Sequence, residues 1–295
     1  MDNKEIIEFY KQYSLFTFPG CYKEKLLELP DDIKEIGRIV RSSLIHRTTL
    51  RDGNTGTNAD KKYGDMTKIP WHQQCQDDYL VTASAMLAEL FRKDSRGLLK
   101  DRKEIDKPIL TCRFIAVLMA SILKTKGIPC RVRSIFAPYF TDYVDDGKSH
   151  DHWINQYWSE NESRWLTIDV DGMSHKTDFD FFDIPDGKFD FSADAWLAVR
   201  EGKIDENHFH NANGMNGTYP MLWELFYDFH CLMNSEITYL HTPKLALLNN
   251  SIAEETKKEI DELARLMQNP DKNFETLKRI WETKKELRLL KGGLL

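Results

Sequence analysis

The stretch that decides the fold covers residues 111–133 and reads TCRFIAVLMASILKTKGIPCRVR. Residues 114–123 are apolar at almost every position, so a helix formed there is apolar on all sides and belongs in the interior. Thr111 stands at the N-cap position, and Gly127 suits the residue just after the last turn. The stretch therefore predicts one buried helix with Cys112 in its first turn.

Three segments with strand-like composition follow this helix. Residues 130–140 (CRVRSIFAPYF) alternate, residues 151–158 (DHWINQYW) come after a polar loop, and residues 164–171 (RWLTIDVD) follow the turn SENES. The last two segments predict an antiparallel hairpin, and all three predict a small meander. Because a buried helix is followed by strands without βαβ alternation, we expect an α+β fold.

Apolar residues at helical spacing predict further helices on both sides of this unit. These helices cover residues 4–12, 33–44, 79–97, 192–202, 220–240 and two charged segments within residues 251–290. The two charged segments break at Asn269-Pro270 and are predicted to form a peripheral helical hairpin. Residues 51–65 are rich in glycine and asparagine and are predicted to form an exposed loop.

The overall composition argues against two classes of partner, nucleic acids and membranes. The 295 residues carry a net charge of -6, which argues against nucleic acid as the main partner, because phosphate binding needs a basic surface. No segment approaches the roughly 18 consecutive apolar residues of a membrane span, so no membrane partner is expected. The N-terminus lacks the basic start and apolar centre of a signal peptide, and a cytoplasmic location is expected.

The cysteines do not form a recognisable framework. Their number is odd, their spacing is wide and no CxxC pair exists, so neither a disulfide scaffold nor a thiolate zinc site is indicated. The five cysteines are Cys21, Cys75, Cys112, Cys130 and Cys231. Most are expected to be small buried hydrophobic residues, and only Cys112 begins a long buried helix.

Cys112 can be activated by its position. A helix N-terminus lowers the pKa of a thiol, a nearby imidazole completes the activation, and a carboxylate on the other ring nitrogen fixes the tautomer. His152 and Asp169 lie at facing ends of the two hairpin strands, where both can face the helix start. We therefore predict a nucleophile, a base and an orienting carboxylate at Cys112, His152 and Asp169. Taken separately, a cysteine in an apolar helix and a histidine in a strand are more often structural.

The three segments together resemble the core of the transglutaminase-like superfamily, within the papain-like group of cysteine enzymes. The matching residues are Cys112 opening a helix, Gly-Ile-Pro-x-Arg at 127–131, His152-Trp153, and Trp-x-x-x-Asp at 165–169. Residues 182–236 also resemble the C-terminal part of a bacterial subgroup of that family. The family pattern has a small residue before the cysteine, whereas this chain has Thr111.

The resemblance implies an α+β, papain-like core in which the helix carrying Cys112 packs on a small antiparallel sheet, with additional peripheral helices. Residues 1–295 would then form a single transglutaminase-like domain with its core at about residues 75–172. An N-terminal helical region (1–70) and a C-terminal helical extension (192–295) would flank the core.

The resemblance also implies the chemistry. Cys112 would attack an amide or related acyl carbon of a peptide or small acyl substrate, and a thioester would pass the acyl group to water or an amine. His152 would act as base and then acid, and Asp169 would orient it. The backbone N–H of Cys112 and one upstream side chain would hold the oxyanion. The candidates for that side chain are Trp71 and Gln74 first, and also His72, Gln73 and Gln76.

Several alternatives stay open. Asp171 could orient the histidine in place of Asp169, and the aromatics of residues 179–191 could wall a cleft or pack a core. His150 and His152 form an HxH pair that could bind a metal ion, but no third ligand occurs at a sequence spacing typical of a metal site. Animal members of the superfamily use calcium, yet no D-x-D-x-D loop occurs, so neither a metal nor another cofactor is expected. A non-catalytic binding or scaffold module on the same fold is the alternative function, and the sequence leaves the oligomeric state open.

Overall fold

The structure, a computed structural model, describes residues 3–47, 70, 73, 76–140, 146–212 and 214–288. The exposed loop predicted at residues 51–65 lies outside the described residues. The helices are α1 (Asn3–Lys11), α2 (Lys23–Leu27), α3 (Ile33–Ser42), α4 (Gln76–Tyr79), α5 (Ala83–Lys93), α6 (Cys112–Thr125), α7 (Ser192–Arg200), α8 (Thr218–Leu232), α9 (Glu254–Met267) and α10 (Phe274–Thr283). Within the described residues no helix is long and apolar enough to cross a membrane.

The main sheet is antiparallel along its main path and confirms the α+β class. The strands are β1 (Ile45–His46), β2 (Ile109–Leu110), β3 (Cys130–Ala137), β4 (Ser149–Ser159), β5 (Arg164–Ile168), β6 (Asp190–Phe191) and β7 (Phe209–His210). The main sheet has the order β5-β4-β3-β6, β7 pairs with β4 in parallel, and β1 pairs with β2 in a separate parallel pair. The predicted hairpin is β4–β5, with Trp158 opposite Trp165, and β3 completes the predicted meander.

Helix α6 lies in the middle of the largest apolar core and is buried along its whole length, as predicted. Thr111 has an extended backbone before the first turn, and Gly127 ends the helix with a φ of 78°. The backbone N–H of Ile128 then donates to the Leu123 carbonyl at 2.9 Å, which satisfies one carbonyl of the last turn. On the sheet side, Asn155 Nδ2 of β4 donates to the Ala116 carbonyl at 2.9 Å.

Helix α8 closes one edge of the sheet. Its Asp228 carboxylate accepts two hydrogen bonds from the Arg133 guanidinium of β3, at 2.7 and 2.8 Å, and a third from the Ser134 backbone N–H at 3.1 Å. A bidentate pair with an additional backbone donor satisfies the buried charges on both sides. Because the pair is fully buried, it fixes where α8 crosses β3.

The C-terminal helices form the predicted hairpin, broken at Asn269-Pro270, and they are tied firmly to the sheet. Asp271, between α9 and α10, accepts from Arg131 Nη1 of β3 at 2.5 Å and from Trp165 Nε1 of β5 at 2.7 Å. Apolar residues of both helices are buried with α7 and α8 in a second core. The two family-like motif residues Arg131 and Trp165 thus have a structural role.

Some predicted boundaries were wrong. The helix predicted over residues 79–97 is split into α4 and α5, because Thr82 adopts an extended backbone and its hydroxyl accepts from the Ala85 N–H at 3.2 Å. The N-terminal region contains β1 as well as helices, and the C-terminal part contains β7. Strands of two residues are too short to show a period of two in the sequence.

Candidate functional site

The antiparallel pairing of β4 and β5 brings His152 and Asp169 together. His152 lies on β4 opposite Ile135 of β3, and Asp169 directly follows the last residue of β5. His152 Nε2 is 2.9 Å from Asp169 Oδ2, and both side chains are buried. The backbone N–H of Asp169 donates to the Phe181 carbonyl at 2.9 Å, which holds the carboxylate at the end of the strand.

Two further groups hold the Asp169 carboxylate, and the sequence did not indicate either. The Tyr139 hydroxyl donates to Oδ2 at 2.9 Å, and the backbone N–H of Gly172 donates to Oδ1 at 2.8 Å. A Cβ atom added at Gly172 would collide with this carboxylate and with the Phe181 ring, so the close approach requires glycine. A glycine directly after Asp-Val-Asp was a usable signal, whereas Tyr139 follows no motif.

The third predicted residue, Cys112, lies close enough to the same histidine for each group to influence the pKa of the other. Asp169 occupies Nε2, so Nδ1 is the ring nitrogen that remains for the thiol. Burial raises the pKa of Cys112, while a hydrogen bond to His152 and the positive charge of its ring act in the opposite direction. Burial lowers the pKa of His152, but the charge and hydrogen bond of Asp169, with a further contribution from Cys112, outweigh it and hold that pKa well above its ordinary value.

Tyr239 also lies next to the thiol. Its hydroxyl is 3.5 Å from Cys112 Sγ, and Cys112 as a whole residue is 9% exposed. Arg113 fixes the segment that carries this tyrosine, because its Nε donates to the Ile237 carbonyl at 2.9 Å and its Nη2 donates to the Glu236 carbonyl. Cysteine and tyrosine are 127 positions apart, so no local sequence pattern could have paired them.

Asp171 has a different role from Asp169. Its Oδ1 is 3.4 Å from Arg41 Nε, and its Oδ2 is 3.3 Å from His46 Nε2. Burial lowers the pKa of His46 to about 4, so the ring is neutral at pH 7 and Arg41 supplies the positive charge. β5 ends at Ile168, so Asp171 lies beyond the end of the strand predicted within residues 164–171. Asp169 is the carboxylate that contacts His152.

The structure describes only two of the five side chains predicted as candidate donors to the oxyanion, Gln73 and Gln76. Trp71, His72 and Gln74 lie outside the described residues. Gln73 Oε1 accepts from Lys93 Nζ at 2.5 Å, and Gln76 is bound between Glu89 and the backbone N–H of Ile109. The backbone N–H of Cys112 is in the first turn of α6, where N–H groups have no partner within the helix.

The remaining sequence candidates surround the sheet. His150 Nε2 is 3.2 Å from Asp146 Oδ1, and in the described ranges no group of three His, Cys, Asp or Glu residues could hold a metal ion. A second HxH pair, His208 and His210, is half-buried at the start of β7. Among the aromatics of residues 179–191, Phe181 is buried in the core, whereas Phe179 lines a cavity of about 340 Å³.

No family model, curated protein or solved structure matches this chain. The resemblance to the transglutaminase-like superfamily therefore stays a prediction from the motifs.

Proposed function

We propose that this protein is a cysteine-dependent amide hydrolase or acyl transferase with a transglutaminase-like, papain-like core. The observation that carries the proposal is the position of His152 between two partners. Its Nε2 is 2.9 Å from Asp169 Oδ2, and its ring is close enough to the Cys112 thiol at the start of α6 to lower the pKa of that thiol against the effect of burial. A thiol, an imidazole and a buried carboxylate in this order are the parts that a cysteine nucleophile needs.

In the proposed reaction the thiol proton moves from Cys112 Sγ to His152 Nδ1. The thiolate attacks the acyl carbon and forms a C–S bond, and the carbonyl oxygen becomes an oxyanion next to the backbone N–H of Cys112. The C–N bond then breaks, and His152 gives its proton to the leaving nitrogen. Water or an amine attacks the thioester while His152 takes the proton of the attacking group. The C–S bond then breaks, the acyl product leaves, and His152 returns the proton to the sulfur, which restores the thiol.

The electrostatics of the described residues support the first step. The Asp169 charge favours the protonated imidazole, so it makes His152 a stronger acceptor for the thiol proton. The imidazolium and the positive end of α6 in turn favour the thiolate, against the effect of burial. Tyr139 and Gly172 keep the carboxylate oriented, as the supporting groups of a catalytic histidine must.

One observation favours the alternative, a non-catalytic binding or scaffold module. Cys112 is only 9% exposed, and the Tyr239 hydroxyl lies 3.5 Å from its Sγ. A thiol that a substrate cannot reach would be a structural group in a pocket. The two functions differ in whether a small acyl donor reaches Cys112.

A thiol-directed acylating probe separates the two functions. The protein is incubated with p-nitrophenyl acetate, and the acetylated cysteine is identified by peptide mass spectrometry. We expect acetylation at Cys112, its loss in Cys112→Ala, and its strong reduction in His152→Ala. Cys21→Ala is the matched control, because Cys21 is a free and exposed thiol. Acetylation that occurs at Cys21 and not at Cys112 would assign the reactive thiol elsewhere.

A further inference from the structure

The Tyr239 hydroxyl lies within hydrogen-bond distance of the atom that is proposed to attack the substrate, 3.5 Å from Cys112 Sγ. Its hydrogen-bond partner among the described residues is this sulfur, and a cysteine sulfur is a weak acceptor. The hydroxyls of Tyr10 and Tyr139 donate instead to a carbonyl oxygen and to a carboxylate. Tyr239 therefore has a donor that is not committed to a strong acceptor.

Three other aromatic rings hold the Tyr239 ring in place. The rings of Trp153 on β4 and Tyr227 on α8 meet it edge-on, each at 6.1 Å, and the ring of Phe114 on α6 is tilted against it at 6.5 Å. The ring is thus fixed by three elements of the core. A donor that is fixed before the reaction does not have to be reoriented when charge develops next to it.

The backbone that carries Tyr239 is attached to α6 next to the nucleophile. Arg113 directly follows Cys112, and its side chain is fully buried. Its Nε donates to the Ile237 carbonyl at 2.9 Å, and its Nη2 donates to the Glu236 carbonyl. The first turn of α6 therefore positions both the sulfur and the segment that brings the hydroxyl to it.

The Tyr239 hydroxyl keeps its proton at neutral pH. The residue as a whole is half-buried, and its hydroxyl lies against the buried Cys112. Burial, followed by the negative charge of Cys112 as a thiolate, raises the pKa of Tyr239 well above its ordinary value. The hydroxyl can therefore donate a hydrogen bond to a thiolate or to an oxyanion, neither of which carries a proton of its own.

The oxyanion of the proposed reaction forms one carbon away from the sulfur. When Sγ bonds to the acyl carbon, the former carbonyl oxygen is attached to the same carbon. A hydroxyl 3.5 Å from Sγ can reach the range of about 2.7–3.1 Å from that oxygen that an oxyanion donor needs. Because an oxyanion is a much stronger acceptor than a sulfur, the hydrogen bond strengthens as the intermediate forms, and such a change lowers the barrier.

Tyr239 and His152 belong to opposite faces of β4. The Tyr239 ring packs against Trp153, whereas the ring of His152 packs against those of Tyr139 and Phe140, at 6.4 and 4.8 Å. Successive residues of a strand point to opposite faces of the sheet. One group can therefore hold the oxygen of the substrate while the other carries the proton.

We propose that Tyr239 Oη is the side-chain donor that holds the oxyanion, together with the backbone N–H of Cys112. This assignment rests on the proposed function, because the oxyanion exists only if Cys112 attacks a carbonyl. As the Sγ–C bond forms, the π electrons of the C=O bond move to the oxygen, and Oη–H donates to that oxygen without giving up its proton. The role that the family resemblance gives to an upstream side chain then belongs to a residue 127 positions after the nucleophile.

Two reactions of the same thiol test this role. p-Nitrophenyl acetate acetylates Cys112 through a tetrahedral oxyanion, whereas iodoacetamide alkylates it by displacing iodide and forms no oxyanion. Tyr239→Phe removes the hydroxyl and keeps the packed ring. We expect acetylation to slow about a hundredfold, the loss typical of one oxyanion donor, and alkylation to keep its native rate. Equal slowing of both reactions would show that the hydroxyl stabilises the thiolate, and faster rates of both would show that it covers the thiol; either result overturns the assignment.

Matched variants exclude a general effect on the fold and test the upstream candidates. Tyr10→Phe also removes a buried hydroxyl, one that donates to the Leu232 carbonyl at 2.9 Å, and it should leave both rates unchanged. Acetylation that slows as much in Tyr10→Phe as in Tyr239→Phe would contradict a specific role. Trp71→Phe and Gln74→Ala are measured in the same way. Slow acetylation in one of them, with the native rate in Tyr239→Phe, assigns the donor to that residue instead.

Propanal gives a second measurement that does not require turnover. The thiol adds to the aldehyde carbon, and the aldehyde oxygen takes up the thiol proton to give a hemithioacetal, whose oxygen lies where the oxyanion would. The adduct protects Cys112 from iodoacetamide, and we expect Tyr239→Phe to need about tenfold more propanal for the same protection, the loss typical of one hydrogen bond. Equal protection of the native protein and the variant overturns the assignment.

The two measurements separate this assignment from the proposed function. A native protein that forms the hemithioacetal but no acyl-enzyme, with weaker propanal protection in Tyr239→Phe, keeps Tyr239 as the donor and removes the proposed function. Acyl-enzyme that forms equally fast in the native protein and in Tyr239→Phe keeps the enzyme and removes the role of Tyr239. A Cys112 thiol that reacts with neither p-nitrophenyl acetate nor propanal overturns both.

Discussion

The Tyr139 hydroxyl donates to the same oxygen of Asp169 that His152 Nε2 contacts, each at 2.9 Å. Asp169 Oδ2 therefore binds two groups: the Tyr139 hydroxyl, and the imidazole of His152 that is proposed to take up the thiol proton. A carboxylate held by several donors has little freedom to rotate, so the imidazole that it orients is also fixed.

Tyr139→Phe should slow acylation of Cys112 without unfolding the protein. The change removes one donor to Asp169 and leaves the buried ring in place, so the carboxylate and His152 are less well oriented. We expect a fall of about tenfold in the rate of acetylation by p-nitrophenyl acetate. Tyr157→Phe, on β4 and away from Asp169, is the control, and equal rates in the two variants would contradict a positioning role for Tyr139.

Asp169→Asn should move the pH dependence of thiol reactivity to higher pH. The Asp169 charge raises the pKa of His152, so the neutral amide makes the imidazolium less favourable. Less imidazolium means less thiolate at neutral pH, and we expect iodoacetamide to alkylate Cys112 about tenfold more slowly at pH 7. The rate is measured across pH for both proteins, and superimposable profiles would show that Asp169 does not influence the thiol.

Gly172→Ala should damage both stability and the site. A Cβ atom at this position meets the Asp169 carboxylate and the Phe181 ring, and such overpacking costs about 1–3 kcal/mol of unfolding free energy. Because the carboxylate must move, acylation of Cys112 should slow as well. Gly202→Ala is the matched control: its φ of 71° strains an alanine, but nothing lies within 4 Å. It should lose stability and keep the acylation rate.

His230 makes the fold sensitive to acid at a point away from the site. Burial lowers the pKa of this α8 histidine from 6.5 to about 3, and its ring packs edge-on against Trp281 at 4.7 Å. Because the unfolded chain binds the proton more readily, this contribution to stability is fully present above the unfolded pKa and is lost as pH falls towards the folded one.

The expected loss is on the order of 3 kcal/mol between pH 7 and pH 4. His230→Phe fills the same space without a titrating group, so its stability should change less between these two pH values. Denaturant unfolding of both proteins at each pH measures the difference. Parallel pH dependences would show that His230 does not carry the effect.

The sequence predicted the elements whose signals are local. Thr111 and Gly127 marked the ends of α6 because caps depend on nearby residues. The two strand-like segments on either side of the turn SENES predicted the hairpin that brings His152 to Asp169. β1 and β7 were missed because two residues show no period, and Thr82 splits a helix through a hydroxyl bond that competes with the apolar pattern.

The sequence predicted only those residues of the candidate site that belong to a motif, namely Cys112, His152 and Asp169. Tyr139 and Tyr239 approach Asp169 and Cys112 through tertiary packing, and neither follows a spacing rule. The same holds for Asp271, which accepts hydrogen bonds from Arg131 and Trp165, residues more than a hundred positions earlier in the sequence. Such contacts depend on how α8 and the C-terminal helices pack on the sheet, and that packing has no signature of its own in the sequence.

The most direct test is to trap the acyl group on Cys112. The protein is incubated with a library of amides, quenched in acid, and analysed by peptide mass spectrometry beside His152→Ala and Cys112→Ala. The proposed triad predicts an acyl adduct on the Cys112 peptide of the native protein and none in either variant. A native protein that forms no adduct at Cys112, or an adduct that persists at full level in His152→Ala, would contradict it.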